Sequence, residues 1–255
     1  LFALGLVMII KGSDWFIDAV IWIANVFKIP HIIIGATIVS ICTTLPETFV
    51  SLTASLKGET DVAFGNAIGS IAVNTGFIMA ILLLFAKPII ENRGAFIGNG
   101  TFLIFLLLAT SIIGFTVGEL NRTIGIILLC LLVAYLYNNV MSAKKIMGFK
   151  GVHFGENVSS AKAQKIVASK PVATTNMIKF IAGISLVVFG SNLLVDNGIT
   201  IAELLGVPSL LIAVTFTALG TSLPELMTTI TSIRKKATNL GVGNIIGADI
   251  LNIIQ

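Results

Sequence analysis

Charge is scarce in this 255-residue chain, where only 11% of residues are Asp, Glu, Lys or Arg, against about 25% in an ordinary soluble domain. That deficit excludes a water-soluble enzyme. Cysteine is scarcer still: Cys42 and Cys130 are the two present and both stand inside apolar stretches, so neither a disulfide framework nor a thiolate zinc site can be built. The two histidines, His31 and His153, have no metal-ligand companion and are assigned to surface roles. No His-Glu-x-x-His run, catalytic aspartate pair or nucleophile with a basic partner lies in an apolar segment, and enzymatic activity is not expected. The opening Leu1 to Ile10 lacks a basic n-region and a small-residue cleavage site, so this stretch is not expected to be a signal peptide. The chain begins with Leu rather than Met, so its true start is expected to be missing.

What the chain has instead is long apolar runs, with 56% hydrophobic residues and a mean hydropathy of +1.02. About 20 apolar residues span a hydrocarbon core as a helix, and eight segments qualify: roughly 1–26, 31–56, 62–86, 96–116, 122–141, 177–204, 208–233 and one opening near 240 that stops at Gln255. The expectation is an all-α polytopic membrane protein with lipid as its surrounding partner. Residues 1–141 form a first unit, 142–176 a polar basic loop, and 177–255 a second unit. Twelve of the sixteen Lys and Arg fall in the connections 1–2, 3–4, 5–6 and 7–8, against Lys57 and Arg122 alone in the alternate ones. Cytoplasmic loops carry the positive excess, so the N-terminus is expected outside, the long loop in the cytoplasm, and the protein in the plasma membrane. The basic residues answer to membrane orientation, with no nucleic-acid partner implied. Nothing in the sequence demands more than a monomer.

The strongest signal is an internal repeat at a constant offset of 178 residues. Gly12-Ser13 recurs as Gly190-Ser191, Pro30 as Pro208, Leu45-Pro46-Glu47 as Leu223-Pro224-Glu225, Gly65-Asn66 as Gly243-Asn244, and Asn74 as Asn252. About 21 of about 66 aligned positions are identical without a gap. Five segments separate the start of one copy from the start of the other, and an odd number inverts the second copy in the membrane. Inverted repeats are a recurring transporter design with the substrate site at the repeat interface. Channels can share that symmetry.

Each copy carries a proline inside an apolar helix with a glutamate one residue later. Proline removes a backbone donor and clashes one turn back, so carbonyls near Ser40 to Thr43 and Ala218 to Thr221 are expected to be free. Free carbonyls at membrane depth need a partner, and a cation is one. A mid-membrane carboxylate costs at least about 2.5 kcal/mol, which makes the symmetric pair Glu47 and Glu225 the first candidates for function. In the following helix Asn66, Ser70 and Asn74 are spaced i, i+4, i+8, as are Asn244, Ala248 and Asn252, which keeps each set near one helix face. Carboxylates, amides, hydroxyls and carbonyls form an all-oxygen set suited to a hard cation. Two glutamates balance one divalent or two monovalent cations, so one pocket could serve both in turn.

These motifs, GATIVSICTTLPE with GNAIGSIAVN and AVTFTALGTSLPE with GNIIGADILN, resemble the two alpha-repeats of the calcium/cation antiporter superfamily, and most closely its sodium/calcium exchanger branch. The resemblance implies two inverted five-helix halves, ten helices in all, of which about eight are visible here, and alternating access without a prosthetic group. It implies calcium held by Glu47, Glu225, Thr43 and Thr221, the threonines through their carbonyls. It also implies sodium sites using Ser40, Thr44, Ser70, Asn74, Ala218, Ser222 and Asn252. Ala248 departs from the pattern, lacking the hydroxyl of Ser70, and some relatives carry an aspartate at the position of Asn252.

Other residues have plainer readings. Gly65, Gly69, Gly243 and Gly247 are expected to let helices approach closely, Asp14 and Asp18 to pair or reach water, and Trp15 and Trp22 to meet lipid. Asp249 is open between a neighbour of the ion and a pairing partner. Exchange of calcium for sodium is the leading expectation. A proton/calcium antiporter is the alternative, because a buried glutamate can carry a proton, and a cation channel stands behind it.

Overall fold

The computed structural model describes residues 1–58, 60–117, 121–150, 170–206 and 220–254. Among these residues every regular element is a helix. Helix α1 (Phe2–Phe27) ends at Lys28, whose left-handed backbone (φ 54°) turns its N–H back onto the Ala24 carbonyl. Pro30, extended at ψ 135°, then starts α2 (His31–Ile34). A π-helical turn, Gly35–Val39, leads into α3 (Ser40–Thr43), and after a break at Thr44 the chain continues as α4 (Leu45–Leu56), bent by 49° from the preceding stretch. The next span has the same composite build: α5 (Thr60–Ala72), a π-helical turn at Val73–Ile78 and α6 (Met79–Phe85). The remaining helices are α7 (Arg93–Val117), α8 (Arg122–Lys150), α9 (Lys170–Leu204), α10 (Leu223–Arg234) and α11 (Thr238–Ile254).

Hydropathy therefore places the segments well but misjudges two ends. Helix α8 runs to Lys150 and α9 begins at Lys170, so the stretch 142–176 expected as a loop is helical at both edges. Hydropathy marks where a helix leaves hydrocarbon, whereas backbone hydrogen bonding continues into the polar zone for as long as its residues favour helix. The middle of that stretch, with His153, lies outside the described residues.

Two contacts organise the bundle. The first is an antiparallel seam between α1 and α9, where Gly5 faces Gly190, Gly12 faces Gly183, and the rings of Phe16 and Phe180 sit 5.1 Å apart. A Cβ on Gly12 would lie 2.7 Å from the Gly183 carbonyl oxygen, and one on Gly183 would lie 2.6 Å from the Phe16 nitrogen. Absent side chains are what let these backbones touch. The second is α11, buried at every residue from Asn239 to Ile250. A Cβ on Gly243 would collide with the Ile32 carbonyl, and one on Gly35 with the Leu240 carbonyl. The expected packing role of Gly243 holds, and Gly247 likewise lies against Ala36 and Ser40.

The lipid-facing surface is apolar: Phe115 is 93% exposed and Leu84 80%, which water would not tolerate over such an area. At one end of the bundle His31, Lys87, Glu91, Lys236 and Asn239 surround a common polar cavity, and Asn239 donates to the Ile89 carbonyl at 2.9 Å. The connections after α1, after α6 and between α10 and α11 thus share one face, as the parity of the spans requires.

Candidate cation site

The site forms where the break between α3 and α4 meets the start of α10. Thr44 (φ −83°, ψ 2°) and Ser222 (φ −84°, ψ 5°) break their helices in the same conformation. Each is followed by Leu-Pro-Glu at the start of a new helix, where a proline sacrifices no hydrogen bond. Glu47 and Glu225 consequently enter from the first turns of α4 and α10, and neither has any exposed surface.

Their partners are crossed between the repeats. The Thr44 hydroxyl donates to Glu225 Oε1 at 3.1 Å, and the Ser222 hydroxyl donates to Glu47 Oε1 at 3.3 Å. Each half thus holds the acid of the other. A second pair of crossed contacts lies one layer away: Thr43 donates to Asn244 Oδ1 at 3.2 Å, and Thr221 to Asn66 Oδ1 at 3.5 Å. Asn66 in turn donates to the Glu47 carbonyl at 3.2 Å and to the Ser51 hydroxyl at 3.0 Å, while Asn244 donates to the Thr228 hydroxyl at 3.1 Å. Asn66 and Asn244 were visible only as members of a spaced set. Here they brace the threonines and the helix starts that carry the acids.

The remaining candidates divide. Ser70, Asn74 and Asn252 are buried with the glutamates. Ser40 is buried too, but its hydroxyl donates to the Thr37 carbonyl at 3.0 Å and is turned toward its own helix. Its carbonyl is engaged as well, by the Thr44 N–H at 2.9 Å and the Thr43 hydroxyl at 3.4 Å. The expectation of free carbonyls from Ser40 onward is corrected at that residue, because the break falls at Thr44 and leaves the turn before it closed. Ala218 lies outside the described residues.

Glu47 Oε2, Glu225 Oε2, Ser70 Oγ and both amide atoms of Asn74 are buried without a hydrogen-bond partner among the described residues. Buried polar atoms are normally satisfied, and a buried charge is normally paired or bound to a metal. One oxygen of each carboxylate is therefore fixed by a donor from the opposite repeat, and the other keeps its lone pairs. No three His, Cys, Asp or Glu side chains among the described residues come together as a metal cluster. The negative charge comes from two acids, and the rest of the donor set is neutral oxygen.

Asp249 has no exposed surface, and neither of its carboxylate oxygens has a hydrogen-bond partner among the described residues. Asp14 and Asp18 pair as expected, with Lys235 Nζ 2.6 Å from Asp18 and Arg234 3.4 Å from Asp14.

Residues 1–141 and 175–254 match the family described as sodium/calcium exchanger protein. The chain belongs to that family. It is 33% identical over 260 residues to the inner membrane protein YrbG of Escherichia coli (strain K12), a match covering all of this chain and 76% of that protein. It is 27% identical to the sodium/calcium exchanger MaX1 of Methanosarcina acetivorans, over 98% of this chain and 78% of that protein. Among solved structures, the sodium-calcium exchanger NCX_Mj soaked with 10 mM Na+ and zero Ca2+ is similar with a TM-score of 0.82 and 30% identity, covering 99% of this chain and 78% of that one. This exchanger-family member is an integral, multi-pass membrane protein, and its all-helical fold is that of the exchanger it resembles. Both family-matched blocks contain one Leu-Pro-Glu break and one Asn-bearing helix of the site.

Proposed function

We propose that the protein is a secondary antiporter that exports calcium in exchange for sodium entry by alternating access. The observation that carries this reading is the crossed pair of buried glutamates, each with one oxygen bonded across the repeat interface and one oxygen unsatisfied. A divalent ion between the two Oε2 atoms would be neutralised by the pair, with the Thr43 and Thr221 carbonyls completing its shell. Two sodium ions carry the same charge and could replace it, drawing on Thr44, Ser70, Asn74, Ala218, Ser222 and Asn252. Equal charge with unequal geometry is the basis for alternate occupancy.

The crossed hydroxyl bonds suggest how occupancy couples to opening. Because each carboxylate is oriented by the opposite half, the site is complete only when the halves are apposed, and movement of one half withdraws a donor from the other half's acid. The lysine and arginine distribution supports an external N-terminus and a cytoplasmic connection between α8 and α9. The sodium/calcium naming of MaX1 supports the ion pair.

The test is radiolabelled calcium uptake into proteoliposomes under an outward sodium or an outward proton gradient, with Glu225→Gln alongside. Sodium-driven uptake abolished by the variant is expected. Uptake driven only by protons would assign the counter-ion to the glutamates themselves, and uptake linear in calcium without a counter-ion would replace exchange with a channel.

A further inference from the structure

Every ion pair among the described residues gathers around two acids of α1, where that helix meets the end of α10. Lys235 Nζ lies 2.6 Å from Asp18 and 3.9 Å from Asp14, and Arg234 lies 3.4 Å from Asp14. Lys235 also donates to the Asp14 carbonyl at 3.0 Å. Beside them the hydroxyls of Ser13 and Thr231 share a buried hydrogen bond of 2.9 Å. Helix α1 is thus fastened to α10 by side chains as well as by packing.

The internal repeat supplies the comparison. Its offset equates Ser13, Asp14 and Asp18 with Ser191, Asn192 and Asp196 on α9, and Thr231, Arg234 and Lys235 with Thr53, Leu56 and Lys57 at the end of α4. The equivalent junction is not made. Ser191 donates to the Val187 carbonyl of its own helix at 2.8 Å, while Asn192, Asp196, Thr53 and Lys57 are exposed. Among the described residues α9 has no packing on α4 comparable with that of α1 on α10. Inversion of the second copy puts the two junctions on opposite faces, with the glutamates between them. The charges are unequal as well: one junction brings two acids to two bases, whereas the other, with Asn192 and Leu56 neutral, offers Asp196 and Lys57 alone.

We propose that Asp14, Asp18, Arg234 and Lys235 are positioning residues for transport, a latch that holds the face of the α10–α11 connection closed, and that Lys57 and Asp196 close the opposite face when this latch opens. The proposal rests on the alternating-access reading. The richer charge set biases the resting protein toward the state in which α1 is fastened. The pairs are partly exposed and border a cavity of about 370 Å³, so each is weak and screened by salt. Such a latch tilts the balance between two conformations rather than fixing one.

Disulfide formation in the purified full-length protein reads that balance without transport. With Cys42 and Cys130 replaced by serine, Ser13→Cys with Thr231→Cys reports the fastened junction, its hydroxyls at 2.9 Å being within disulfide reach. Ser191→Cys with Thr53→Cys reports the counterpart. The first pair is expected to cross-link faster. Adding Lys235→Met should raise the rate of the second pair relative to the first by about two- to fivefold. Lys235→Arg should restore the parent ratio, and about 1 M choline chloride should reproduce the shift. Unfolding alone lowers both yields together. An unchanged ratio in Lys235→Met overturns the latch, and a second pair that never cross-links overturns the reciprocal junction. Asp18→Asn carries the same expectation, which keeps the test decisive if Lys235→Met does not fold. Calcium uptake into proteoliposomes is measured in parallel. Uptake without a counter-ion removes the exchange reading, while the cross-linking ratio still judges the latch.

Discussion

Placing a methyl group at Gly12 should pry α1 from α9, and the size of the effect follows from the contact. The new Cβ would stand 2.7 Å from the Gly183 carbonyl oxygen, 2.8 Å from Leu186 Cβ and 2.9 Å from the Val187 nitrogen. Two of these atoms are backbone and cannot rotate away. Reaching ordinary contact near 3.5 Å requires the helices to part by ~0.8 Å, and a gap of that size forfeits a quarter to a half of each dispersion contact along the seam. Overpacking of this kind costs about 1–3 kcal/mol, against a gain of about 1 kcal/mol from alanine's helix propensity over glycine. Gly183→Ala faces the same balance, with a Cβ 2.6 Å from the Phe16 nitrogen. Once one methyl has parted the helices, the second finds room, so the double variant should be less destabilised than the sum by at least about 0.5 kcal/mol. Both tryptophans, Trp15 and Trp22, lie on α1, so thermal unfolding followed by intrinsic fluorescence reports on the helix that moves. Each single variant should melt several degrees lower. A midpoint unchanged by Gly12→Ala, or strict additivity in the double variant, would refute the seam as a backbone contact.

Three further outcomes follow from other contacts. Tyr135 on α8 donates to the Ala36 carbonyl at 3.0 Å, within the π-helical turn where the helical ladder is displaced; Tyr135→Phe should destabilise by about 1–3 kcal/mol by leaving that buried acceptor unpaired, measured by thermal unfolding. The ion pair of Lys235 with Asp18 is partly exposed, so Lys235→Ala should change stability by less than about 1 kcal/mol, an effect diminishing further in high salt. Thr44→Val and Ser222→Ala each remove one crossed donor to a buried acid, and the two should impair calcium uptake to a similar degree; an effect confined to one of them would contradict the symmetry of the site.

Much of this architecture was legible because membrane physics narrows the choices. Pro46 announces the bend before α4, the offset of 178 residues announces the duplication, and the two glutamates announce the candidate site by their expense in hydrocarbon. The crossing of Thr44 to Glu225 and Ser222 to Glu47 was not legible. A repeat equates positions in its two copies but says nothing of which hydroxyl in one faces which acid in the other. The π-helical turns at Gly35–Val39 and Val73–Ile78 were equally hidden, since residues of ordinary helical composition form them. Asp249 could be seen as an anomaly, yet its complete burial depends on how α11 packs into the bundle.

The crossed bonds also impose an order in time. Ser222 lies 175 residues after Glu47, and at about 5–20 residues per second of synthesis it emerges roughly 9–35 s later. Through that interval Glu47 must reside in a nascent first half without the donor that orients it. Its own repeat already supplies one brace, since Asn66 and Ser51, both made early, tie down the backbone around the acid. The crossed pairing of hydroxyl and acid is therefore a late product of biogenesis. Only the arrival of the second Leu-Pro-Glu turn completes it.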